Sequence, residues 1–421
     1  MDKLSRRVAA LSPEQRELLA LRARRVLPDV VIPGDPGTAV PSAAASSGPA
    51  VSLAPLAGGA GRAAAQEIRF SLLFFSAAGD RDGEGKYQLL LESARFADRH
   101  GFEAIWTPER HFQKFGGLYP NPAVLSAALA MVTERLEIRA GSLVLPLQNP
   151  IRVVEDWALL DNLSGGRVAV SFASGWNPVD FALAPEAYEE RRRLMFEGIE
   201  TVRRMWAEGR ARVPGVGGKE VEVALRPRPL RPELPVWLTS SGTLETWLKA
   251  GEIGANVLCA LQGEPAEDMA HRIRLYRQAR REHGHDPGTG RVTVMLHTYL
   301  GDELAAVRET VRGPMTGYLR TFLAQGRSLE GGLSGIDPRQ LSDRDLTDLA
   351  GAVFERFFEE RSLLGTPETC ERLLSLLQSI GVDEIACLVD FGLDPEVVLD
   401  GLERLAALKR RHEQGASREE A

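Results

Sequence analysis

Short apolar runs recur along the chain from Ile68 onward and are separated by longer segments of mixed polarity. Eight of these runs are rich in β-forming residues and predict strands. The predicted strands are Ile68–Phe75, Phe102–Trp106, Leu136–Leu145, Arg167–Phe172, Val236–Thr239, Ala255–Cys259, Arg291–Tyr299 and Val382–Val389. Runs such as SLLFF, RVAVSF and EIACLV are apolar almost throughout, which is typical of parallel strands buried on both faces.

Helical segments are predicted between most of these strands and after the last one. They are Lys86–His100, Ala123–Thr133, Pro150–Asn162, Glu186–Glu208, Leu244–Gly251, Ala266–His283 and Leu402–Arg411. Eight strands alternating with helices over about 340 residues predict an α/β fold, the (β/α)8 TIM barrel. A doubly wound sheet is the alternative, but the first strand–helix turn, FFSAAGDRDGEGK, lacks the G-x-G-x-x-G spacing.

Two connections are too long to be simple loops of a barrel. The first, Pro178–Pro235, contains a helix and a Gly/Pro-rich piece that resembles a hairpin; the second, Gly301–Thr366, contains at least one helix and the flexible stretch GRSLEGGLSG. We therefore expect a barrel over residues 68–410 with insertions at about 209–234 and 302–365. Residues 411–421 are expected to form a disordered tail.

The N-terminal region differs in composition from the rest of the chain. Residues 1–32 predict a short helical segment, in which Ser12 is an N-cap and Pro13 occupies the first turn. Residues 33–67 are rich in Ala, Pro, Gly and Ser and predict a flexible linker, because they cannot bury a core. The helical segment is either a frayed tail or a docking element for a partner.

Charge and cysteine content exclude several classes of protein. A net charge of −7 over 421 residues gives no basis for an electrostatic grip on nucleic acid or an anionic membrane. The three widely spaced cysteines fit reduced thiols better than a disulfide framework or a zinc site. No apolar run reaches the length of a membrane span, and the first residues lack the apolar core of a signal peptide. We expect a soluble cytoplasmic protein.

Ionisable residues follow the second predicted strand directly. Glu109, Arg110 and His111 come after the buried run that ends at Trp106, in the stretch WTPERHF. Because the active site of a TIM barrel forms at the C-terminal ends of its strands, these three residues are candidate catalytic residues. The alternatives are a surface turn, a structural His111, and a Glu109 that pairs with Arg110 or caps a helix.

The exit of the fifth predicted strand is a candidate phosphate site. Ser240, Ser241, Gly242 and Thr243 lie between an apolar strand and a predicted helix, where free backbone amides and hydroxyls attract an anion. A plain N-cap explains the same residues. The spacings of a Walker A loop, of a zinc-binding H-E-x-x-H and of the hydrolase motif G-x-S-x-G are absent.

Several of these stretches resemble the bacterial luciferase-like family of flavin-dependent monooxygenases. The family typically has W-x-x-E-H-H-F followed by Gly and N-P before an Ala-rich helix, and WTPERHF…PNPAVLSAALA is similar to it. The segment AGSLVLPLQNPIRVVEDWALLDNLSGGRVAVSFASGWNP is similar nearly throughout, and the likeness covers about residues 68–395. The ERHF motif and the GTPETC…GVDEIACLVDFG ending resemble the branch found in nonribosomal peptide and polyketide pathways.

The resemblance implies reduced FMN as cofactor and O2 as co-substrate, in a luciferase-like TIM barrel. It implies that Ser241, Gly242 and Thr243 hold the flavin phosphate, with Ser240 also in the cofactor site. It further implies that the Gly141–Ser142 peptide bond, often cis in the family, lies beside the flavin ring. Ser174, Trp176 and Asn177 would line the cofactor, and Tyr188 would close over it. From the residues alone, Asn177 could equally be a turn residue and Tyr188 an ordinary helix residue.

Arg110 departs from the family pattern, which has a histidine at this position. An arginine cannot act as a base at neutral pH. It could hold a peroxide anion or a carboxylate, or point outward, so the acid/base role falls to His111.

The resemblance also implies partners: a flavin reductase that supplies FMNH2, a carrier protein of a peptide or polyketide synthase, and a second copy in a homodimer. The activity implied is hydroxylation or Baeyer–Villiger insertion on a carrier-bound aminoacyl, peptidyl or acyl intermediate. A deazaflavin-dependent hydride-transfer enzyme of the same superfamily and a non-catalytic flavin-binding docking protein are the alternatives, because fold alone does not fix function.

Overall fold

The computed structural model describes residues 67–75, 85–113, 116–240, 243–261, 266–325 and 342–419. The strands are β1 Arg69–Leu73, β2 Ala104–Thr107, β3 Glu137–Val144, β4 Val168–Ala173, β5 Arg210–Pro214, β6 Glu220–Ala224, β7 Val236–Ser240, β8 Asn256–Ala260, β9 Val292–Leu300, β10 Leu363–Gly365 and β11 Glu384–Leu388. The helices are α1 Gln88–Arg99, α2 Pro122–Ala130, α3 Pro150–Ser164, α4 Arg191–Glu208, α5 Leu244–Glu252, α6 Ala266–Glu282, α7 Leu304–Gln325, α8 Asp343–Glu360, α9 Pro367–Ser379 and α10 Pro395–Glu419.

Eight parallel strands close into a barrel in the order β1, β2, β3, β4, β7, β8, β9 and β11, and β11 pairs with β1. This confirms the predicted TIM barrel, and each predicted strand corresponds to one strand of the ring. The alternative of an open doubly wound sheet is excluded, since the ring has no free edge at β1 or β8.

The interior of the barrel is filled by a polar and aromatic plug. The Arg139 guanidinium lies 4.7 Å from the ring centroid of Trp106 and 4.6 Å from that of Trp237. Its Nη1 donates to both carboxylate oxygens of Glu384 at 2.8 Å, and Ser71 Oγ donates to Glu384 Oε1 at 2.6 Å. Because the centre is packed, a ligand can enter only at an end of the barrel.

Two Asn-Pro pairs fix where helices begin. Asn121 Oδ1 accepts the amide of Val124 at the start of α2, and Asn149 Oδ1 accepts the amide of Ile151 at the start of α3. In both helices the proline follows the capping residue at the first helical position, where its missing N–H costs no hydrogen bond. The N-P motifs of the sequence are thus helix start signals.

The two insertions contain regular structure. In the first, β5 and β6 pair as an antiparallel hairpin, which confirms the hairpin-like reading of that stretch. In the second, α7 and α8 pack together and β10 extends the sheet beside the end of β9. The stretch GRSLEGGLSG and residues 1–66 lie outside the described residues.

The expectation of a disordered tail from residue 411 is wrong, because α10 continues to Glu419. His412 explains why the helix extends: its ring is buried and packs edge-on against Phe70, 6.1 Å between centroids. Its Nδ1 lies 3.0 Å from Glu371 Oε1. Among the described helices, none is both long and apolar enough to cross a membrane.

Candidate active site

The C-terminal ends of the parallel strands form one mouth, and α7 of the second insertion lies against it. A Cβ built on Gly392, just after β11, would lie 3.6 Å from Pro314 of α7. The buried ring of His297, in the C-terminal half of β9, meets Tyr318 of α7 at 4.5 Å between centroids. The insertion therefore forms part of the wall of the mouth.

Glu109 is a buried hub of hydrogen bonds. Its Oε2 accepts the amide of Val144 at 2.6 Å, and its Oε1 accepts Nε2 of Gln148 at 2.7 Å. The same Oε1 lies 3.2 Å from Nε2 of His111. Glu109 thus links the loop after β2 to the end of β3. The ion pair of the neighbouring Arg110 is made with Asp180.

The contact with Glu109 sets the orientation of the His111 ring. Because the Glu109 carboxylate receives donors from Val144 and Gln148, it acts as an acceptor, so Nε2 of His111 donates to it. In the neutral ring this leaves Nδ1 as the nitrogen that can accept a proton. His111 is 8% exposed, so its ring is enclosed at the mouth.

Arg110 points inward, which excludes the outward orientation. It is 4% exposed, and its guanidinium lies 5.5 Å from the centroid of Phe75 and 5.0 Å from that of Trp176. Its Nε is 3.9 Å from Oδ2 of Asp180, a residue that the sequence analysis did not single out. Burial lowers the pKa of Arg110 and raises the pKa of Asp180, although each charge favours the ionised form of the other.

The Gly141–Ser142 peptide bond is cis, as the resemblance led us to expect. Gly141 lies flat against Trp106, because a Cβ there would come within 2.8 Å of Trp106 Cε3. Beside it, Thr239 Oγ1 lies 2.6 Å from Ser142 Oγ and 2.7 Å from Ser171 Oγ. We call these three hydroxyls, of Ser142, Ser171 and Thr239, the hydroxyl cluster.

The sequence analysis missed Ser171 and Thr239 as site residues. Both occur inside predicted strands, and Thr239 is two residues beyond Trp237, whose side chain fills the barrel. The alternation of side chains along a strand therefore places Thr239 on the inner face, and this signal was available in the sequence.

The start of α5 follows the hydroxyl cluster along β7. Ser240 is buried, and Thr243 has extended backbone at the N-cap position, but its side chain makes no capping hydrogen bond to a backbone amide of the helix. Instead, Thr243 Oγ1 lies 2.9 Å from Oγ1 of Thr246. Thr243 thus does not cap α5 with its side chain. Ser241 and Gly242 lie outside the described residues.

The residues after β4 form one side of the mouth. Ser174 is half-buried, and Trp176 is 41% exposed, with its ring over the Arg110 guanidinium. Asn177 is buried, and its Oδ1 accepts the amide of Val179, as in a turn. Asn177 therefore stabilises this turn through its side-chain oxygen. Its side-chain NH2 group is the part that could contact a cofactor.

Tyr188 is half-buried on the same side. Its ring meets Phe181 edge-on at 5.0 Å, and the Arg191 guanidinium lies 4.4 Å from its centroid. Arg191 Nη1 also donates to the backbone oxygen of Tyr188 at 2.6 Å. Tyr188 is therefore anchored by its neighbours beside the mouth.

Asp390, which follows β11, is a further polar residue that the sequence analysis did not name. Its Oδ1 accepts the amide of Phe75 at 2.7 Å, and its Oδ2 accepts the hydroxyl of Tyr119 at 3.3 Å. Burial, together with the Asp390 charge, raises the pKa of Tyr119 well above its usual range. Nearby, burial lowers the pKa of His297 to about 3, so this ring is neutral.

The chemistry of this mouth fits a flavin mononucleotide. Hydroxyls and the first amides of α5 suit a phosphate, while the flat surface of Gly141 on Trp106 admits a planar ring. Among the described residues, no three His, Cys, Asp or Glu side chains cluster as metal ligands do.

The chain is thus a TIM-barrel protein, and the mouth of its barrel suits a phosphorylated planar ligand. The profile of the luciferase-like monooxygenase family matches residues 68–384, and the chain belongs to this family. It is 25% identical over 328 residues to the oxygenase component of flavin-dependent trigonelline monooxygenase from Acinetobacter baylyi; the match covers 76% of this chain and 88% of that protein.

Solved structures with the same fold include proteins with different cofactors. The oxygenating constituent of 3,6-diketocamphane monooxygenase from Pseudomonas putida, in complex with FMN, has a TM-score of 0.64 at 19% identity, covering 82% of this chain and 98% of that one. An F420-dependent secondary alcohol dehydrogenase has a TM-score of 0.61 at 17% identity, covering 81% and 99%. At these identities the likeness establishes the fold alone. It does not decide between FMN and F420 as the cofactor.

Proposed function

We propose that this chain is the oxygenase of a two-component flavin system in the cytoplasm. A separate reductase supplies FMNH2, and the oxygenase uses O2 to oxygenate an aminoacyl, peptidyl or acyl group bound to a carrier protein of a nonribosomal peptide or polyketide pathway. The reaction is a hydroxylation or a Baeyer–Villiger insertion. The observation on which the proposal chiefly rests is the hydroxyl cluster next to the start of α5, at the mouth of a luciferase-like barrel.

The comparisons support the reductase. The trigonelline relative is by name an oxygenase component, so a second component is expected to supply its reduced flavin. The diketocamphane enzyme, which has the same fold and is solved in complex with FMN, supports FMN as the flavin.

In this proposal the bound flavin supplies the oxygen chemistry, and the chain's own residues position it and manage protons. The hydroxyl cluster and Ser240 to Thr243 hold polar edges and phosphate of the cofactor. Ser174, Trp176, Asn177 and Tyr188 enclose it. His111, oriented by Glu109, holds or releases a proton at Nδ1.

Oxygen consumption tests the cofactor assignment. The proposal predicts that FMNH2 bound to the chain consumes O2, and that 18O2 leaves one labelled oxygen atom in a carrier-bound product detected by mass spectrometry. The deazaflavin alternative predicts oxidation of reduced deazaflavin by substrate without O2. Two results together would reject the monooxygenase proposal: turnover of reduced deazaflavin without O2, and a carrier-bound product without label from FMNH2 and 18O2.

Residues 1–66 are proposed to dock the oxygenase on its synthase. LSPEQRELLALRARR resembles connector segments around condensation modules, and this resemblance is the basis of the proposal. A chain that starts at residue 67 should keep FMNH2 binding but lose turnover on the carrier-loaded substrate. Equal kinetics of the shortened and full chains on that substrate would reject the docking role.

A homodimer is proposed on the basis of an apolar surface formed by α2 and α3, which pack side by side. Val124, Ala128 and Met131 are exposed at helical spacing along α2, and Leu159 and Leu163 are exposed one turn apart on α3. Contiguous exposed apolar side chains mark interaction surfaces. A second copy of the same surface would cover them.

A further inference from the structure

Arg110 is a buried charged residue at the mouth, and the proposed flavin site assigns no ligand group to its guanidinium. We propose that its guanidinium binds a free carboxylate of the organic substrate. This inference rests on the proposed monooxygenase function and adds a substrate class to it.

Arg110 has hydrogen-bonding capacity that its described neighbours leave unused. Its Nε and Nη2 atoms are buried and have no hydrogen-bond partner within the described part of the chain. The Asp180 carboxylate, 3.9 Å from Nε, is close enough for an ion pair but too far for a hydrogen bond. Buried donors of a charged group are costly when they stay unpaired. A ligand that accepts from both atoms removes this cost.

The described neighbours hold the Arg110 guanidinium in place without accepting hydrogen bonds from its Nε and Nη2 atoms. Gly116 has φ +84°, and a Cβ there would come within 2.8 Å of Arg110 Cγ, so a glycine is needed to make room for the side chain. The Arg110 amide donates to the oxygen of Tyr119 at 3.0 Å. Phe75 and Trp176 pack near the cation with their rings. Aromatic contacts leave the in-plane N–H donors available.

A carboxylate suits the Arg110 guanidinium better than other anions do. A carboxylate matches the planar fork of N–H donors with two oxygens and one charge. A phosphate carries about −1.5 to −2 charges at neutral pH and would be repelled by Asp180 at the same site. A singly charged, planar anion is therefore the better fit.

The inference constrains the substrate further. A thioester to a carrier protein uses one carboxyl group, so a carrier-bound substrate needs a second one. It would then be a dicarboxylic acyl group or an acidic aminoacyl group. A substrate that is free in solution would use its only carboxylate.

The test compares an acid with its uncharged amide. Isothermal titration of the full chain with 3-phenylpropionate and 3-phenylpropionamide should give an affinity at least about tenfold higher for the acid, as expected for a charge-assisted hydrogen-bonded pair. Arg110→Gln should abolish this preference, and Arg110→Lys should reduce it, because lysine keeps the charge and loses the fork. Arg152→Gln is the control, since Arg152 is exposed on α3 and already paired with Asp156.

Three results would overturn the carboxylate site: equal affinity of the wild-type chain for acid and amide, a preference that survives Arg110→Gln, or tighter binding of inorganic phosphate than of the acid. If Arg110→Gln does not fold, judged by circular dichroism, an unreduced preference in Arg110→Lys overturns it instead. FMNH2 binding is measured on the same samples. Intact FMNH2 binding without acid preference removes this inference alone, whereas acid preference without FMNH2 binding removes the proposed function alone.

Discussion

Replacing Arg139 by methionine should strongly destabilise the barrel. Arg139 and Glu384 are both fully buried, and the two hydrogen bonds between them are 2.8 Å long. Within the described part of the chain, the substitution leaves the buried Glu384 carboxylate with the Ser71 hydroxyl as its one side-chain donor. Breaking a buried ion pair from one side costs about 3–5 kcal/mol. Glu137 is less affected, because Arg231 Nη2 stays 2.9 Å from its Oε1.

The double variant Arg139→Met/Glu384→Leu separates charge from shape. It removes the unpaired carboxylate, so we expect it to recover most of the free energy of unfolding that the single variant loses. Arg152→Met is the matched control. Arg152 pairs with Asp156 at 2.9 Å but is 69% exposed, so its loss should change stability by less than about 0.5 kcal/mol.

The assay is equilibrium unfolding in urea, followed by tryptophan fluorescence and circular dichroism, with refolding from high urea to establish reversibility. A loss below about 1 kcal/mol in Arg139→Met would refute the reasoning that the buried pair is strongly coupled. A double variant as unstable as the single one would show that the shape of the plug, and not its charge balance, decides stability.

Three further predictions concern the mouth, its wall and the outer surface. Gly141→Ala should cost about 1–3 kcal/mol in urea unfolding and weaken FMNH2 binding, because the new Cβ meets Trp106. His297 has a pKa of about 3 when folded, so the unfolded chain binds its proton first and stability falls as the pH drops below about 6.5. Between pH 7 and pH 5 this amounts to about 2 kcal/mol, and His297→Phe should remove that part of the pH dependence. Met131→Glu should convert the proposed dimer to a monomer in light scattering, because it places a charge in the apolar surface of α2.

Each of these has a control elsewhere in the chain. Gly313→Ala adds a methyl group where nothing lies within 4 Å, so it should leave FMNH2 binding unchanged. His271→Gln removes an exposed histidine, so comparison with it separates the loss of the buried ring from the loss of any histidine. Val216→Glu alters a fully exposed side chain on the hairpin and should leave the mass in solution unchanged. Equal effects of a test variant and its control would contradict the assigned cause.

The fold was predictable because its signals are local. Parallel strands of a barrel are buried on both faces, so each is a short apolar run, and the Asn-Pro pairs mark the starts of α2 and α3. The end of α10 was not predictable in this way. His412 continues the helix because it packs on Phe70 from the first strand, a contact between the two ends of the described chain.

The sequence allowed us to predict that the candidate residues lie at the ends of the strands, but not which residues they contact. Strand exits pointed to Glu109, Arg110 and His111, but their partners come from other loops. Glu109 binds the end of β3, and Arg110 approaches Asp180 from the loop after β4. Such pairings depend on how the ring of strands closes, which no local pattern contains. The alternative in which Glu109 pairs with Arg110 relied on neighbours in sequence, whereas the structure pairs Arg110 with Asp180.

The most direct test of the central claim is an anaerobic titration of the full-length chain with reduced FMN. We expect one FMNH2 to bind saturably per chain. Thr239→Glu should abolish this binding, because a carboxylate would then stand in the hydroxyl cluster, and Thr239→Ser should retain it. Failure of the wild-type chain to bind FMNH2, or equal affinity of the wild type and Thr239→Glu, would contradict this claim.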